Sequence, residues 1–133
     1  MILADTPVWI RHLRLADQTM LDLLDRRRIL CHPFVVGEIA VGMFRARDVL
    51  IADMRRLPKV TVATDDEVLR LISDHKLYGC GAGYIDLHLL ASVLLTPEAR
   101  LWSKDRRLNE LALSFGVAYP AVPEENRRTA RPR

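Results

Sequence analysis

Short apolar runs alternate with longer amphipathic segments along nearly the whole chain, and few architectures accommodate that order. The short runs lie at residues 1–4, 29–32, 60–63, 100–102 and 117–118, and the longer segments at residues 19–28, 34–47, 67–76, 85–95 and 107–115. Short runs of this kind are typical of strands, and the longer segments are typical of helices. The alternation predicts an α/β fold with a central, mostly parallel β-sheet flanked by α-helices.

Two helix boundaries are marked by residues that favour a helix start or a helix end, which supports this assignment. Thr64 precedes Asp65 and Asp66 and stands three residues before Glu67, which is the spacing of a capping box at a helix start. Thr96 is followed by Pro97, which disfavours helical backbone in the residue before it. We therefore expect one helix to begin after Thr64 and another to end near Thr96.

The length of the chain predicts a single domain. Its 133 residues, with 50% hydrophobic content, are enough for one well-formed core. Apolar periodicity continues to about residue 120 and is then lost in a segment rich in arginine. We expect one folded domain at residues 1–120 and a basic, flexible tail at residues 121–133.

Composition narrows the environment in which the protein works. The net charge of +3 permits a polyanionic partner without demanding one. Cys31 and Cys80 lie in or beside apolar segments without metal-type spacing, so reduced thiols are expected instead of a disulfide framework. The start of the chain has no secretory pattern, and no apolar run reaches the roughly 20 residues of a spanning helix. These features predict a cytoplasmic protein without membrane association.

Two acidic residues interrupt apolar helical segments. Glu38 and Asp86 have only apolar residues or glycine at the positions three and four residues away, where a surface carboxylate on a helix commonly meets Lys or Arg. An unpaired carboxylate is costly to bury, so it becomes neutral, finds a distant partner or binds a metal. Both residues are therefore expected to be buried acids with a partner elsewhere in the fold.

Two further acids follow predicted strands. Asp5 comes directly after the first strand, and Asp105 lies just beyond the strand at residues 100–102. Because the carboxyl ends of parallel strands and the starts of the following helices meet at one edge, these acids and Asp86 are expected to converge, with Glu38 arriving from the second helix. Clustered carboxylates need a compensating cation, and oxygen ligands favour Mg²⁺ or Mn²⁺ over zinc. A magnesium-dependent phosphoester hydrolase is the leading prediction.

Each acid also has a structural explanation. Asp5 and Asp105 suit helix N-caps, Glu38 can face solvent, and Asp86 can interact with the helix dipole in a first turn. The cap assignments are compatible with metal binding. His88 is expected to be a packed or interface residue and not a catalytic base.

Other motifs bear on ligand binding. The segment at residues 79–83 contains three glycines, but no Lys-Ser or Lys-Thr pair follows it and no clear strand precedes it, so a flexible helix entry is favoured over a phosphate-binding loop. Lys104 and Arg106 flank Asp105 and are candidates for contacts with a polyanionic backbone.

Together these residues resemble the PIN-domain family, and in particular the VapC-like ribonuclease toxins of bacterial type II toxin-antitoxin pairs. The motifs that carry the resemblance lie at residues 2–10, 36–39, 81–92 and 101–108, in the same order and spacing. The resemblance covers the chain up to about Pro120. It implies a PIN-like fold and binding of Mg²⁺ or Mn²⁺ by Asp5, Glu38, Asp86 and Asp105.

The resemblance also implies an activity and partners. Thr6 and Ser103 match positions whose hydroxyl groups order water near the metal. The implied reaction is metal-assisted hydrolysis of RNA phosphodiester bonds without a covalent intermediate. Members of the family are commonly homodimers, and a cognate VapB-like antitoxin protein neutralises them. The chain is therefore predicted to be an endoribonuclease toxin.

Two other functions fit parts of the sequence. A phosphoacceptor receiver domain could use Asp65 or Asp66 after residues 60–63, together with Lys104, but it would leave Glu38 and Asp86 without a role. A catalytically idle PIN-like binding protein would keep the fold without the activity. Metal-dependent RNA cleavage distinguishes the predicted enzyme from both.

Overall fold

Three parallel strands form the sheet around which the chain is wound. The structure is a computed structural model that describes residues 1–120. The strands are β1 (Ile2–Ala4), β2 (Ile29–Leu30) and β3 (Arg100–Trp102), in the order β2-β1-β3. Isolated parallel bridges extend the pairing on both sides, from Cys31 to Lys59 and from Leu101 to Ala118. β1 is thus the central strand, and its carboxyl end opens onto Asp5.

Helices occupy most of the remaining described chain. They are α1 (Thr6–Arg14), α2 (Gln18–Asp25), α3 (Pro33–Ala40), α4 (Arg47–Arg55), α5 (Asp65–Asp74), α6 (Tyr84–Leu95) and α7 (Arg106–Ser114). α6 and α7 both pack on β3 and on each other, α5 packs on α6, and α3 packs on α1 and α4. The α/β class predicted from the alternation is confirmed.

The core forms where the strands meet these helices. Leu3 of β1, Leu101 of β3, Leu90 of α6 and Leu108 of α7 are completely buried. Full burial of a leucine side chain contributes roughly 1.5–3 kcal/mol. These contacts fix β1 and β3 beneath α6 and α7, and therefore fix the edge that carries the acidic residues.

Local signals located several boundaries correctly. The Thr64 hydroxyl accepts a hydrogen bond from the Glu67 N–H, and the Glu67 carboxylate accepts one from the Thr64 N–H, so the predicted capping box is confirmed. α6 ends at Leu95 with Thr96 as its C-cap, also as predicted.

Cys31 and Cys80 are both free thiols, and burial raises the pKa of Cys31.

The prediction of one helix at residues 34–47 was wrong. α3 ends at Ala40, and a new helix begins at Arg47 after Ala46 adopts a left-handed backbone with φ of 51°. The Arg47 side chain donates to the Ala40 carbonyl at 2.8 Å, which satisfies the end of α3. Gly42 permits the tight turn because a Cβ there would lie 2.5 Å from the Phe44 ring. The turn carries the chain away from the α3 axis.

Three other elements differ from the predicted pattern. α1 and α4 were not among the predicted segments, and residues 60–63 do not form a regular strand. Instead, backbone hydrogen bonds from Cys31 to Pro58 and from Val60 to Cys31 surround the single bridge at Lys59.

The predicted tail at residues 121–133 lies outside the described residues, so the domain boundary stays a prediction. Within residues 1–120, no helix is long and apolar enough to cross a membrane.

Candidate active site

Asp5 and Asp105 begin helices at the carboxyl edge of the sheet. Asp5 follows β1 and caps α1, with its Oδ1 accepting from the Val8 N–H at 3.2 Å. Asp105 follows β3 and caps α7, with its Oδ1 accepting from the Leu108 N–H at 2.9 Å. The N-cap interpretation is therefore correct for both. Each carboxylate keeps a second oxygen, so capping does not prevent ligand binding.

Asp86 and Glu38 arrive from two helices. Asp86 lies in the first turn of α6, is partly buried, and accepts a hydrogen bond from the Gly83 N–H at 3.4 Å. Glu38 lies in the last turn of α3 and is exposed. The expectation that Glu38 is buried was wrong, because α3 is only eight residues long and its buried face consists of Val35 and Ile39.

The carboxylates influence one another electrostatically. The pKa of Asp5 is raised from 3.8 to about 6, mainly by burial and to a smaller extent by the charges of Asp86 and Asp105, whereas the Ser103 hydroxyl and the Val8 N–H oppose the shift. Burial likewise raises the pKa of Asp86, with added repulsion from Asp105 and Glu38. Asp5, Asp86 and Asp105 therefore lie within electrostatic reach of one another, and Glu38 lies within reach of Asp86.

Within residues 1–120, no ion pair with Lys or Arg neutralises this cluster. The ion pairs formed within residues 1–120 involve other acids, such as Asp48, Asp53 and Glu110. In the same range, no three or more His, Cys, Asp and Glu side chains are already arranged as a metal-binding group. The four acids therefore form an open, negatively charged edge and not a closed coordination shell.

Two hydroxyl residues support the deepest acid. Thr6 and Ser103 are both buried, with 6% and 7% exposure. The Ser103 Oγ accepts from the Asp105 N–H at 3.0 Å while its hydroxyl interacts with Asp5. Ser103 therefore links the two strand-end acids, whereas Thr6 occupies the first position of α1 beside Asp5.

The basic residues beside Asp105 have different surroundings. Lys104 and Arg106 are exposed, and the Arg106 Nε donates to Glu110 at 3.0 Å on the surface of α7. An exposed pair of this kind contributes little to stability, so Arg106 stays available to another anion. Arg107 was not selected as a site residue, but its side chain lies against Gly81, with the guanidinium Nη1 3.5 Å from the Gly81 carbonyl.

Replacing Gly81 with Ala is expected to lower the free energy of unfolding by about 1–3 kcal/mol. Gly81 has φ of 90°, and an added Cβ would lie 2.6 Å from the Arg107 Cδ, so the substitution both strains the backbone and displaces Arg107. Gly79→Ala is the matched control, because Gly79 has φ of 73° with open space around its Cβ position. Thermal denaturation should show the larger loss for Gly81→Ala; equal losses would mean that the Arg107 contact contributes nothing.

Comparison with known proteins identifies the family. The chain is 46% identical over 118 residues to Ribonuclease VapC32 of Mycobacterium tuberculosis, in strains CDC 1551 / Oshkosh and ATCC 25618 / H37Rv. The alignment covers 89% of this chain and 95% of that protein. No protein-family model matches, and no solved structure gives a significant match. Identity at this level over nearly the full length of both proteins, on an α/β fold, means that the chain belongs to the VapC family of PIN-domain ribonucleases.

Proposed function

We propose that this protein is a metal-dependent endoribonuclease toxin that hydrolyses RNA phosphodiester bonds. The observation that carries the proposal is the buried Asp5 carboxylate, which faces the like charges of Asp86 and Asp105 without a neutralising Lys or Arg among the described residues. A binding protein gains nothing from such mutual repulsion, whereas a divalent ion would relieve it. Membership of a ribonuclease family supports RNA as the substrate.

The donor set fits Mg²⁺ or Mn²⁺. Carboxylate oxygens are the ligands that these ions prefer, and the cluster contains no thiolate or imidazole. Mg²⁺ commonly retains several water molecules and binds through one or two protein carboxylates together with substrate phosphates. An open edge is therefore compatible with such an ion, even without a preformed group of three protein ligands. Asp5 and Asp86 would hold the ion, with Glu38 and Asp105 as further ligands.

A bound divalent ion would supply positive charge to the phosphodiester and acidify an attacking water. The side chains of this protein would position the ion, the water and the RNA relative to one another. Asp5 is fixed by its cap bond to Val8 and by Ser103, so it cannot swing away from the edge. Thr6 and Ser103 would orient water there. Lys104 and Arg106, both exposed beside Asp105, would contact RNA phosphates and place the backbone over the acids.

The family also suggests how the activity is controlled. We propose a cognate VapB-like antitoxin as the neutralising partner, a homodimer as the assembly and the cytoplasm as the location. The receiver interpretation loses support because the chain belongs to a ribonuclease family, and because Asp65 is engaged by Tyr84 and His88. The idle-binder alternative predicts RNA binding without cleavage.

The direct test is cleavage of total cellular RNA by the purified chain. Cleavage is expected with Mg²⁺ or Mn²⁺, is expected to disappear with a chelator, and is expected to fall at least about a hundredfold in Asp86→Ala. Asp74→Ala is the matched control, because Asp74 is an exposed acid at the end of α5 and outside the cluster. Binding of RNA without metal-dependent cleavage would contradict the proposal, as would equal cleavage by wild type and Asp86→Ala.

A further inference from the structure

A carboxylate outside the acidic cluster holds the helix that carries Asp86. The Asp65 Oδ1 accepts a hydrogen bond from the Tyr84 hydroxyl at 2.7 Å and lies 3.3 Å from the His88 Nε2. Asp65 is the first residue of α5, whereas Tyr84 and His88 lie one turn apart on α6. The bond from Tyr84 and then that from His88 lower the pKa of Asp65, which keeps the carboxylate ionised. One acid thus joins the starts of two helices.

In this position, one ring nitrogen of His88 is buried without a hydrogen bond to the described part of the chain. Its side chain is 3% exposed, and its Nδ1 is buried without a partner among residues 1–120. Leaving a buried ring nitrogen of this kind unsatisfied costs about 1–3 kcal/mol. Leucine at this position would avoid that cost. The bond between His88 and Asp65 is the interaction that an apolar residue cannot replace.

The aromatic neighbours of His88 extend the contact to α3. The His88 ring lies 4.5 Å from the Phe34 ring and 5.9 Å from the His32 ring. His32 is completely buried and fixed at both nitrogens: Nδ1 accepts from the Phe34 N–H at 3.0 Å, and Nε2 donates to the Ser92 Oγ at 3.1 Å. α3 carries Glu38 and α6 carries Asp86. The ring contacts of His88 with Phe34 and His32 therefore join α6 to α3, the two helices that bring Asp86 and Glu38 to the edge of the sheet.

The apolar packing of α6 does not by itself fix the rotation of the helix about its axis. Its residues are apolar on nearly all sides, and seven consecutive residues from Leu87 to Val93 are buried. A helix of this kind buries similar surface at many rotation angles, unlike an amphipathic helix. The preceding loop contains Gly79 and Gly81 at positive φ, so local backbone stiffness does not set the angle either. Specific polar contacts must therefore contribute.

We propose that Asp65 is a positioning residue, whose hydrogen bonds to Tyr84 and His88 fix the rotation of α6 and so aim Asp86 at the other three acids. Asp86 lies midway in sequence between Tyr84 and His88, on the opposite side of the helix. A rotation that broke the bonds to Asp65 would move the Asp86 carboxylate sideways along the edge. This inference rests on the proposed function, because it assigns Asp65 a role in forming the same metal site.

The test compares two substitutions in the first turn of α5. Asp65→Asn weakens the bonds to Tyr84 and His88, whereas Asp66→Asn removes a neighbouring charge from the same helix start without touching them. Both lose a similar interaction with the helix dipole. We expect Asp65→Asn to weaken Mn²⁺ binding by the RNA-free protein about tenfold, measured by electron paramagnetic resonance of free Mn²⁺. Asp66→Asn should stay within about twofold of wild type.

Two further measurements separate positioning from general stability. Amide hydrogen exchange over residues 83–88 should accelerate in Asp65→Asn relative to Asp66→Asn. The kcat for RNA cleavage should fall while KM changes little, because Asp65 is proposed to act through the position of Asp86 and not on RNA itself. Tyr84→Phe, which removes one hydroxyl, should change Mn²⁺ affinity and exchange in the same direction by a smaller amount.

The outcomes distinguish this inference from the proposed function. If wild type binds Mn²⁺ and cleaves RNA but the Asp65→Asn and Asp66→Asn proteins behave alike, the positioning role is wrong and the nuclease assignment stands. If wild type neither binds Mn²⁺ nor cleaves RNA, the proposed function fails and the role in the metal site fails with it. The exchange comparison then still decides whether Asp65 holds α6.

Discussion

Replacing Asp5 with Asn is expected to abolish most RNA cleavage while making the metal-free protein more stable at neutral pH. Asn is as good an N-cap as Asp, so the side chain can still accept from the Val8 N–H and begin α1. What disappears is the negative charge. Loss of a charged ligand to the ion that acts on the reacting phosphate is expected to reduce kcat by on the order of 10²–10³-fold.

The gain in stability has a separate cause. The Asp5 carboxylate is 2% exposed and faces Asp86 and Asp105, so its ionised form is unfavourable in the folded, metal-free state. A neutral amide of the same shape avoids that penalty, which is at most about 3 kcal/mol for a pKa raised from 3.8 to about 6. The gain will be smaller if the new amide N–H groups find no acceptor.

Asp17→Asn provides a matched control. Asp17 caps α2 by accepting from the Met20 N–H at 3.0 Å, and it takes no part in the acidic cluster. Its replacement should leave cleavage within about twofold of wild type and change stability little. Urea denaturation and cleavage assays on the same preparations provide both readouts. Wild-type cleavage by Asp5→Asn would remove Asp5 from the site.

The second large effect is a contribution of Asp5 to the stability of the metal-free protein that is lost as the pH rises. Because the pKa of Asp5 is raised from 3.8 to about 6, this side chain holds more protons in the folded protein than in the unfolded chain between these values. The contribution of Asp5 to the free energy of unfolding therefore falls as pH rises through this window and stays lower above pH 6. Burial lowers the pKa of His32 from 6.5 to about 4, which acts in the opposite direction, so the contribution of Asp5 is measured as the difference between wild type and Asp5→Asn. The loss attributable to Asp5 is about 3 kcal/mol. Asp86, whose pKa is also raised, acts in the same direction.

A divalent ion should reverse this trend. Ligands must be deprotonated to bind a metal, so Mn²⁺ or Mg²⁺ should have little effect below about pH 4 and a large one above pH 6. An ion at a hundred times its dissociation constant adds about 2.7 kcal/mol to the free energy of unfolding. Urea titrations at several pH values, with metal and with chelator, measure both curves.

Asp5→Asn again tests the cause. The free energy of unfolding of wild type, taken relative to that of Asp5→Asn, should fall between pH 4 and pH 6, and added metal should stabilise the variant far less than it stabilises wild type. A difference between the two proteins that rises over the same pH window would contradict a raised pKa at Asp5. Equal stabilisation of both proteins by metal would place the ion elsewhere.

Much of the fold could be predicted from the sequence because the patterns that indicate it involve residues close together in the chain. The alternation of short and long segments predicted the parallel α/β sheet, and the Thr64 capping box located the start of α5. α1 was missed although Asp5 and Pro7 are typical of a helix start. α4 was missed because the turn between it and α3 depends on Gly42, Phe44 and Arg47 meeting in space.

The sequence by itself determined the fold class, and it predicted that Asp5, Asp86 and Asp105 lie at one edge of the sheet, since strand ends and helix starts converge there in a parallel sheet. Only the tertiary structure decided how those acids are held. The exposure of Glu38, the contact of Arg107 with Gly81 and the bonds from Asp65 to α6 join segments that no short-range pattern relates. They depend on the angle at which each helix packs, and an almost uniformly apolar helix such as α6 does not encode that angle locally.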